Sequence, residues 1–442
     1  MKKTLSRRKS DSTAQAKPRS GTAKASGDNG SRRNGASSPN GPVRTNPHGI
    51  PDYRLEVPNF RTVAEWVDGK FHYKMEGDLS AEPPPLRQSK YLNKEQTIEI
   101  YRYMLLNRKM EQALENLFKQ QKVVGGVYLG LGQEGCSCAS AYALREGDWI
   151  GPMIRNQGAL LVRGFKPRDV MMQYMAKSGA PTGGRDAGSH FGDKLQRHIA
   201  APISMLGDLI PVLAGVSLGA RLQGKNIACL TWIGDGGQST GPTYEGFNFA
   251  AVQKLGVILI IENNLWAYST PVDCQVACRD LADRAIGYGV PGVIVDGTDP
   301  NQVYDVTYEA AQRAHAGEGP TLIEAKMMRM RGHAMHDAAA YVPRPYFEYW
   351  QKRDPIARME KYLLQRGWLT EKANKELVEA IQNEIDSDRE IADASPYPEG
   401  TTAGEGVFCD NSTEIPFLYG GPKIKKVEKT QLAAASDVAH LR

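Results

Sequence analysis

The strongest constraint on the fold is the segment IACLTWIGDGGQSTGPTYEGFNFAAVQKLGVILIIENN, residues 227–264. Its apolar runs predict a buried strand at Ile227–Ile233 and another at Val257–Glu262, with a helix at Pro242–Lys254 between them. Strands that are apolar on both faces are typical of parallel sheets that helices cover on each side. The segment therefore predicts one β–α–β unit of such a sheet.

The alternation of strand and helix continues on both sides of this unit. A helix is predicted before it, and a strand, a helix and a further strand after it, at Ile210–Leu222, Val293–Val295, Pro300–Ala316 and Thr321–Met327. This order predicts an α/β fold with a doubly wound parallel sheet flanked by helices. Helical additions are expected at both ends of that domain, at Asn93–Lys122, Tyr346–Arg366 and Glu371–Ala394.

Composition divides the chain into five predicted segments. They are a disordered basic tail (1–50), an extended proline-rich leading segment (51–92), the α/β domain (93–345), a C-terminal helical segment (346–413) and an irregular tail (414–442). Residues 1–50 hold eleven Lys or Arg against two Asp, so they carry +9 and the remainder of this +5 chain carries −4. Few apolar residues and high net charge predict disorder in the tail.

The same features bear on partners and location. A mildly acidic body gives no reason to expect nucleic acid, and no apolar run reaches the ~18 residues of a membrane span. The tail lacks the apolar helix face of a mitochondrial presequence, which leaves a solvated tail favoured over a presequence or a polyanion-binding arm. None of the six cysteines forms a CxxC pair. Reduced thiols and the bacterial cytoplasm are therefore expected, with the mitochondrial matrix as the less favoured alternative.

Polar residues follow the two strands of the central unit. Asp235 lies between glycines after the first strand, and Asn264 follows the second. Ligands bind at the carboxyl ends of parallel strands, and a carboxylate with an amide oxygen suits Mg²⁺. Gly236 and Gly237 would let a phosphate approach the backbone beside a helix start. The alternative is two ordinary turns, in which Gly, Asp and Asn are common.

Gly-Asp-Gly followed by Asn-Asn at this spacing resembles the thiamine diphosphate fingerprint. Further motifs occur in one order, namely GLGQEG, RNQGALLVRG, EGFNFAAV, ENNLWAYSTPV, ADRAIGYGVPGVIVDGTD, GPTLIEA, GHAMHDAAAY and RDPI. Over roughly residues 90–410 the chain resembles the alpha subunit of the decarboxylating component of 2-oxoacid dehydrogenase complexes. The resemblance implies thiamine diphosphate-dependent oxidative decarboxylation of pyruvate or a branched-chain 2-oxoacid, followed by reductive acylation of a lipoyl group.

The resemblance also implies roles for single residues. Mg²⁺ would be held by the Asp235 carboxylate, the Asn264 side chain and the Trp266 carbonyl. Further cofactor contacts would come from Arg155 at a phosphate, Gly236 and Gly237 at the diphosphate, and Ser204 and Leu206 towards the thiazolium and aminopyrimidine. His333 would contact the cofactor and act as the catalytic acid–base group, because a neutral His can donate a hydrogen bond and exchange a proton near neutral pH.

The chain departs from the family pattern at several positions. Ile154 stands where the family has a tyrosine, and Val342 where it tends to have an arginine. Ala334 follows His333 in place of the serine of regulated animal relatives, and the loop contains no Ser or Thr. Kinase control of this loop is therefore not expected.

Three alternative functions stay open at this point. An acetoin dehydrogenase alpha subunit would share the same motifs. A nicotinamide-dependent dehydrogenase is suggested by GLGQEG, which matches G-x-G-x-x-G, with Asp148 downstream. A non-catalytic scaffold subunit is the third, although it would not need Asp235, Asn264 and His333 together.

The size of the domain predicts a second subunit. Only one doubly wound sheet fits in the chain, and thiamine diphosphate also needs a carboxylate at its aminopyrimidine. Glu245 and Glu262 lie in sequence beside the diphosphate half, where they cannot also reach that far ring. We therefore expect another chain to supply that group. The resemblance implies a beta subunit in an α₂β₂ heterotetramer, a lipoyl-bearing acyltransferase core of a multienzyme complex, and a small 2-oxoacid as substrate.

Overall fold

The computed structural model describes residues 60–186 and 188–405. The predicted tails, 1–50 and 414–442, lie outside the described residues, as do the first part of the leading segment and the end of the C-terminal helical segment. The strands are β1 (Phe60–Val67), β2 (Lys70–Gly77), β3 (Trp149–Gly151), β4 (Cys229–Gly234), β5 (Val257–Asn263), β6 (Trp266–Ala267), β7 (Thr270–Pro271), β8 (Gly292–Asp296) and β9 (Thr321–Lys326).

Helices surround these strands. They are α1 (Lys94–Lys119), α2 (Glu134–Tyr142), α3 (Gln157–Val162), α4 (Pro167–Tyr174), α5 (Leu209–Leu222), α6 (Gly241–Val252), α7 (Arg284–Tyr288), α8 (Pro300–His315), α9 (Arg344–Gln351), α10 (Pro355–Gln365) and α11 (Glu371–Ala394). Within the described residues, no helix is both long and apolar enough to cross a bilayer.

The central sheet confirms the predicted fold class. Its five strands are all parallel and lie in the order β3-β4-β5-β9-β8. Side chains of β5 alternate between the two faces: Ile258 and Ile260 pack with α1, α2 and α8, whereas Leu259 and Ile261 pack with α5 and α6. Burial on both faces is the reason that the strand is apolar throughout.

The start of α1 follows from its sequence. Asn93 Oδ1 accepts a hydrogen bond from the Gln96 backbone N–H at 2.8 Å, and the Gln96 side chain accepts one from the Asn93 N–H at 3.1 Å. This reciprocal capping box satisfies two backbone donors that have no partner within the helix. The helix boundary predicted at Asn93 is confirmed.

Two sequence-based expectations about secondary structure are wrong. The leading segment is not simply extended, because β1 and β2 form an antiparallel hairpin around a turn at Asp68 and Gly69, both with positive φ. The helix predicted at Tyr346–Arg366 is two helices. Asp354 caps α10 by accepting from the backbone N–H of Ile356 at 2.9 Å, and the proline that follows Asp354 cannot continue a preceding helix.

Gly256 provides a test of the packing at the base of the sheet. A Cβ on this residue would lie 2.9 Å from Ala314 Cβ and closer still to the Ile227 carbonyl oxygen. Because core side chains and backbone on both sides must shift, we expect Gly256→Ala to lower the free energy of unfolding by roughly 1–3 kcal/mol. Thermal unfolding followed by circular dichroism measures the effect.

The matched control is Gly287→Ala in α7, where an added Cβ meets nothing within 4 Å. We expect this change to leave the melting temperature unchanged or to raise it slightly, since Ala favours a helix over Gly by about 1 kcal/mol. Equal melting temperatures for the two variants would contradict the packing described at Gly256.

Candidate active site

The candidate site lies at the carboxyl ends of β4 and β5. These strands pair in parallel, with Gly234 opposite Glu262, so the chain leaves both strands at the same edge of the sheet. Asp235 and Asn264 follow directly and are almost completely buried. The two strand-end residues singled out in the sequence are therefore brought together.

Three oxygen atoms converge at this edge. Asn264 Nδ2 donates to Gln133 Oε1 at 2.9 Å. The amide oxygen of Asn264 then lies 3.3 Å from Asp235 Oδ1 and 3.2 Å from the Trp266 carbonyl oxygen. Adjacent oxygens around an octahedral Mg²⁺ ion, each about 2.1 Å from the metal, lie roughly 3 Å apart. The donor set and its spacing fit the proposed ligand set for Mg²⁺.

The Asp235 carboxylate is oriented from its other side. Its Oδ2 accepts a hydrogen bond from Gln275 Nε2 at 2.8 Å, and the same nitrogen donates to the Thr270 carbonyl at 2.8 Å. Burial raises the pKa of Asp235 to about 6. Among the described residues, no positive side chain is in direct contact with Asp235. Such a buried carboxylate is costly, and a bound cation would offset that cost. Gln275 was not singled out in the sequence, where no recognised motif marks it.

The turn after β5 is held in an uncommon backbone conformation. Leu265 has a φ of +74°, a region that non-glycine residues seldom adopt. Asn263 stabilises it, since its Oδ1 accepts from the Leu265 N–H at 3.3 Å while its Nδ2 donates to Glu324 Oε1 at 2.8 Å. The turn thereby presents the Asn264 side chain and the Trp266 carbonyl on the same side.

Gly236 and Gly237 form a tight turn between β4 and α6. A Cβ on Gly236 would lie 2.5 Å from Ala267 Cβ, and one on Gly237 would lie 3.0 Å from Ile233 Cγ1. Side chains are thus excluded at both positions, which leaves bare backbone beside the helix start. Backbone N–H groups at such a place favour a phosphate.

Ser204 and Leu206 lie on an exposed loop next to this turn. The Leu206 carbonyl accepts from Thr240 Oγ1 at 3.0 Å, which fixes the loop to the start of α6. Ser204 Oγ lies 3.0 Å from His190 Nε2. His190 was not recognised from the sequence; its only signal is a histidine in the glycine-flanked stretch GSHFG.

Arg155 and His333 are in direct contact. The Arg155 guanidinium donates to the His333 carbonyl at 2.7 Å, and its Nη2 lies 3.2 Å from His333 Nδ1. Burial, with a further contribution from Arg155 and Arg329, lowers the pKa of His333 to about 4. His333 is therefore neutral at neutral pH. Because Nδ1 faces a donor, its ring proton belongs on Nε2.

The loop that carries His333 is held by a small polar network. Asp337 Oδ2 accepts from the His333 N–H and from the Tyr341 hydroxyl, both at 2.6 Å. Arg329 donates to the Tyr341 hydroxyl at 2.8 Å and to the Trp266 carbonyl at 3.2 Å. The loop is thus connected to the turn after β5, and the Trp266 oxygen retains a second lone pair for a cation.

The geometry counts against nicotinamide binding at GLGQEG. Asp148, the candidate ribose-binding acid, is fully buried and precedes β3, so it lies at the amino edge of the sheet. There it accepts from the Ala228 N–H at 2.8 Å and contacts His315 Nε2 at 2.9 Å. Both contacts tie the carboxylate to the sheet, at the edge opposite that where such ligands bind.

The candidate metal ligands do not form a cluster of His, Cys, Asp or Glu side chains. Across residues 60–186 and 188–405, no group of three or more His, Cys, Asp or Glu side chains could hold a metal ion. The candidate site uses one carboxylate, one amide and one carbonyl instead. Such a set suits a hard cation that also takes oxygens from phosphate and water.

Comparisons with known proteins agree with this geometry. A family model described as dehydrogenase E1 component matches residues 101–401. The 2-oxoisovalerate dehydrogenase subunit alpha of Bacillus subtilis is 37% identical over 321 residues, which cover 72% of this chain and 97% of that protein. The pyruvate dehydrogenase E1 component subunit alpha of Rhizobium meliloti is 31% identical over 308 residues, covering 70% and 88%. Its namesake from Staphylococcus epidermidis is 36% identical over 297 residues, covering 66% and 77%. The chain therefore belongs to the dehydrogenase E1 component family, whose members use thiamine diphosphate, and within it to the alpha subunits.

Proposed function

We propose that this chain, together with a beta subunit, catalyses the oxidative decarboxylation of a 2-oxoacid and the transfer of the acyl group to a lipoyl group. The substrate is pyruvate or a branched-chain 2-oxoacid, and the acceptor is carried by the acyltransferase core of a multienzyme complex. The observation that carries the proposal is the convergence of oxygens from Asp235, Asn264 and Trp266 beside the bare backbone of Gly236 and Gly237.

In this proposal Mg²⁺ joins the chain to the cofactor. The Asp235 carboxylate, the Asn264 amide oxygen and the Trp266 carbonyl would hold the ion, which would also take oxygens from the cofactor's diphosphate and from water. Backbone N–H groups at Gly236 and Gly237 and the guanidinium of Arg155 would bind the diphosphate and offset its remaining charge. When bound, thiamine diphosphate supplies the carbon nucleophile and the electron sink for decarboxylation.

His333 has a defined protonation state in this site. It is neutral with its ring proton on Nε2, so it is a hydrogen-bond donor rather than a standing cation. Arg155 and Asp337 fix the ring and the backbone of His333 respectively. We propose that this N–H would be directed at the acyl group during its transfer to the lipoyl acceptor.

The aminopyrimidine end requires a second chain. Glu262 is fully buried, and its Oε1 accepts from Asn156 Nδ2 at 2.7 Å, while Glu245 is exposed on α6. Neither is placed to reach the far ring of a cofactor whose diphosphate lies at Gly237. Met205 and Leu206 are more than half exposed beside that turn, where a beta subunit would cover them and provide the carboxylate. We propose the α₂β₂ arrangement on this basis.

The identity of the 2-oxoacid depends on a few methylene groups. Relatives named for 2-oxoisovalerate and for pyruvate are similarly close in identity. Such substrates differ by roughly 1–3 kcal/mol of binding in an apolar pocket. The acetoin alternative has no observation in its favour. The bacterial sources of these relatives also favour the bacterial cytoplasm over the mitochondrial matrix.

The experiment that tests the proposal is co-expression with a beta-type subunit and assay of the purified complex. Pyruvate, 3-methyl-2-oxobutanoate and acetoin are compared by kcat/KM with thiamine diphosphate and Mg²⁺ present. We expect one of the two 2-oxoacids to exceed the other substrates by about tenfold or more. Turnover of acetoin alone would contradict the proposal, and so would activity that is independent of thiamine diphosphate.

Asp235→Ala tests the metal assignment. Removing the only carboxylate among the three ligands should abolish Mg²⁺-dependent binding of thiamine diphosphate, as measured by calorimetry on the co-expressed complex. The control is Asp305→Ala, which removes an equally buried carboxylate that accepts from the Lys90 N–H at 2.9 Å. We expect the control to reduce thermal stability and to retain cofactor binding. Unchanged cofactor affinity in Asp235→Ala would rule out this metal site.

His333→Ala separates acyl transfer from cofactor binding. We expect cofactor affinity to change little, lipoyl acylation to fall by roughly 10²–10⁴-fold, and decarboxylation with an artificial electron acceptor to fall less. If His333 only orders its loop, both rates fall together and protease cleavage between Arg331 and Arg344 increases. Wild-type acylation in the variant would refute the catalytic role.

A further inference from the structure

Gln133 contacts the candidate metal site without belonging to the ligand set. It is fully buried and lies immediately before α2. Its Oε1 accepts the hydrogen bond from Asn264 Nδ2 at 2.9 Å, described above. Gln133 belongs to the motif GLGQEG, residues 130–135, which matches G-x-G-x-x-G.

The backbone that carries Gln133 is held from several sides. The Gly130 N–H donates to Glu111 Oε1 at 2.9 Å, and the Gly132 N–H donates to Glu134 Oε2 at 2.8 Å. Gly132 has a φ of +89°, and a Cβ there would lie 2.7 Å from the Met328 carbonyl oxygen. The loop is therefore fixed in place, and the freedom that remains to Gln133 is the orientation of its amide.

The Asn264 amide has two possible orientations. With Nδ2 towards Gln133, its oxygen faces Asp235 Oδ1 and the Trp266 carbonyl, so three acceptors converge and a cation is required to compensate them. With the amide turned over, its nitrogen donates to Asp235 Oδ1 at 3.3 Å and to the Trp266 carbonyl at 3.2 Å. The second orientation satisfies the ligand oxygens without a metal and turns the amide oxygen away from the site.

Gln133 responds to the same choice. In the first orientation its Nε2 is buried and has no hydrogen-bond partner among the described residues. If both amides turn over together, Gln133 Nε2 donates to the Asn264 oxygen, and the Asn264 nitrogen donates to Asp235 Oδ1 and the Trp266 carbonyl. The first orientation instead leaves the Asn264 oxygen facing these two acceptors with no donor between them, a cost that metal binding must offset.

We infer that Gln133 is a positioning residue for Asn264: the two buried amides turn over as a pair, and only the orientation in which Gln133 accepts from Asn264 binds a divalent cation. The inference rests on the proposed metal site at Asp235, Asn264 and Trp266. It predicts that an acceptor-only group at position 133 favours the cation-binding orientation, whereas an apolar group releases Asn264 to the orientation that excludes the cation.

Two substitutions at Gln133 separate these effects. Gln133→Glu keeps the volume and accepts only, so it holds Asn264 Nδ2 towards position 133. Gln133→Met keeps the length and removes the hydrogen bond. The control is Gln173→Met, because Gln173 is equally buried but its amide bonds to the Asp186 carbonyl at 2.9 Å and to Thr182 Oγ1 at 2.9 Å.

Cation affinity is measured on the co-expressed complex with Mn²⁺ as the probe. Electron paramagnetic resonance follows free Mn²⁺ in the presence of thiamine diphosphate, and thermal unfolding is recorded with and without the metal. We expect Gln133→Met to weaken Mn²⁺ binding about tenfold or more, as loss of a residue that orients a ligand usually does. We expect Gln133→Glu to bind Mn²⁺ at least as tightly as wild type, and Gln173→Met to change only the melting temperature.

A double-mutant cycle adds a sharper test. In Asn264→Asp both terminal side-chain atoms are carboxylate oxygens, so the orientation of this side chain no longer matters. Gln133→Met should then change Mn²⁺ affinity much less than it does beside Asn264. An equal effect in both backgrounds would overturn the orientation role.

The outcomes also distinguish this inference from the proposed function. A wild-type complex that binds no Mn²⁺ would overturn the metal site itself. Wild-type affinity in Gln133→Met would overturn only the role of Gln133. If Gln133→Met fails to assemble, Gln133→Glu still decides, because weaker Mn²⁺ binding in this variant contradicts the inference.

Discussion

The candidate site depends on the parallel pairing of β4 with β5. Gly234 pairs with Glu262, so β4 and β5 end at the same edge of the sheet. The spacing of these adjacent strands therefore sets the distance between Asp235 and Asn264. Neither residue needs a long or flexible side chain to meet the other. Sheet packing on both faces then makes this distance rigid, because a shift of one strand would displace the core side chains that interlock with five helices.

Several carboxylates are buried in or directly after the central strands of the sheet. Asp235, Glu262 and Glu324 all lie within or directly after the central strands, and burial raises the pKa of each. Each is oriented by a side-chain amide, from Gln275, Asn156 and Asn263 respectively. An amide donates a hydrogen bond to a carboxylate without neutralising its charge. The Asp235 carboxylate therefore remains available to a divalent cation, which in turn can attract a diphosphate.

Two buried guanidinium groups, those of Arg155 and Arg329, also lie at the site. Burial of His333, with a further contribution from these two positive charges, lowers its pKa. A neutral His333 avoids repulsion with the two guanidinium groups and keeps an N–H that can donate a hydrogen bond. The loop of His333 is ordered by Asp337 and Tyr341 rather than by serine or threonine hydroxyls. The order of this loop therefore does not depend on a serine or threonine hydroxyl.

Much of this architecture was readable from the amino-acid sequence. The apolar strands, the helix cap at Asn93 and the glycines around Asp235 are local signals, because each depends on residues near it in the chain. They determined the α/β class, the parallel sheet and the pairing of Asp235 with Asn264. The hairpin at Phe60–Gly77 was missed because its short alternating strands gave a weaker signal than the prolines that follow them.

Tertiary structure alone decided which residues orient the site. Gln133 and Gln275 lie far in sequence from the ligands they contact, and Arg155 meets His333 across 178 positions of the chain. Amides and histidines occur throughout the sequence, and their type does not reveal which buried oxygen each one faces. That choice is made by the packing of the sheet, the GLGQEG loop and the His333 loop against one another. The sequence by itself determined which side chains stand at the strand ends. The packing decided how those side chains are oriented, because hydrogen-bond direction depends on distances that only the folded chain sets.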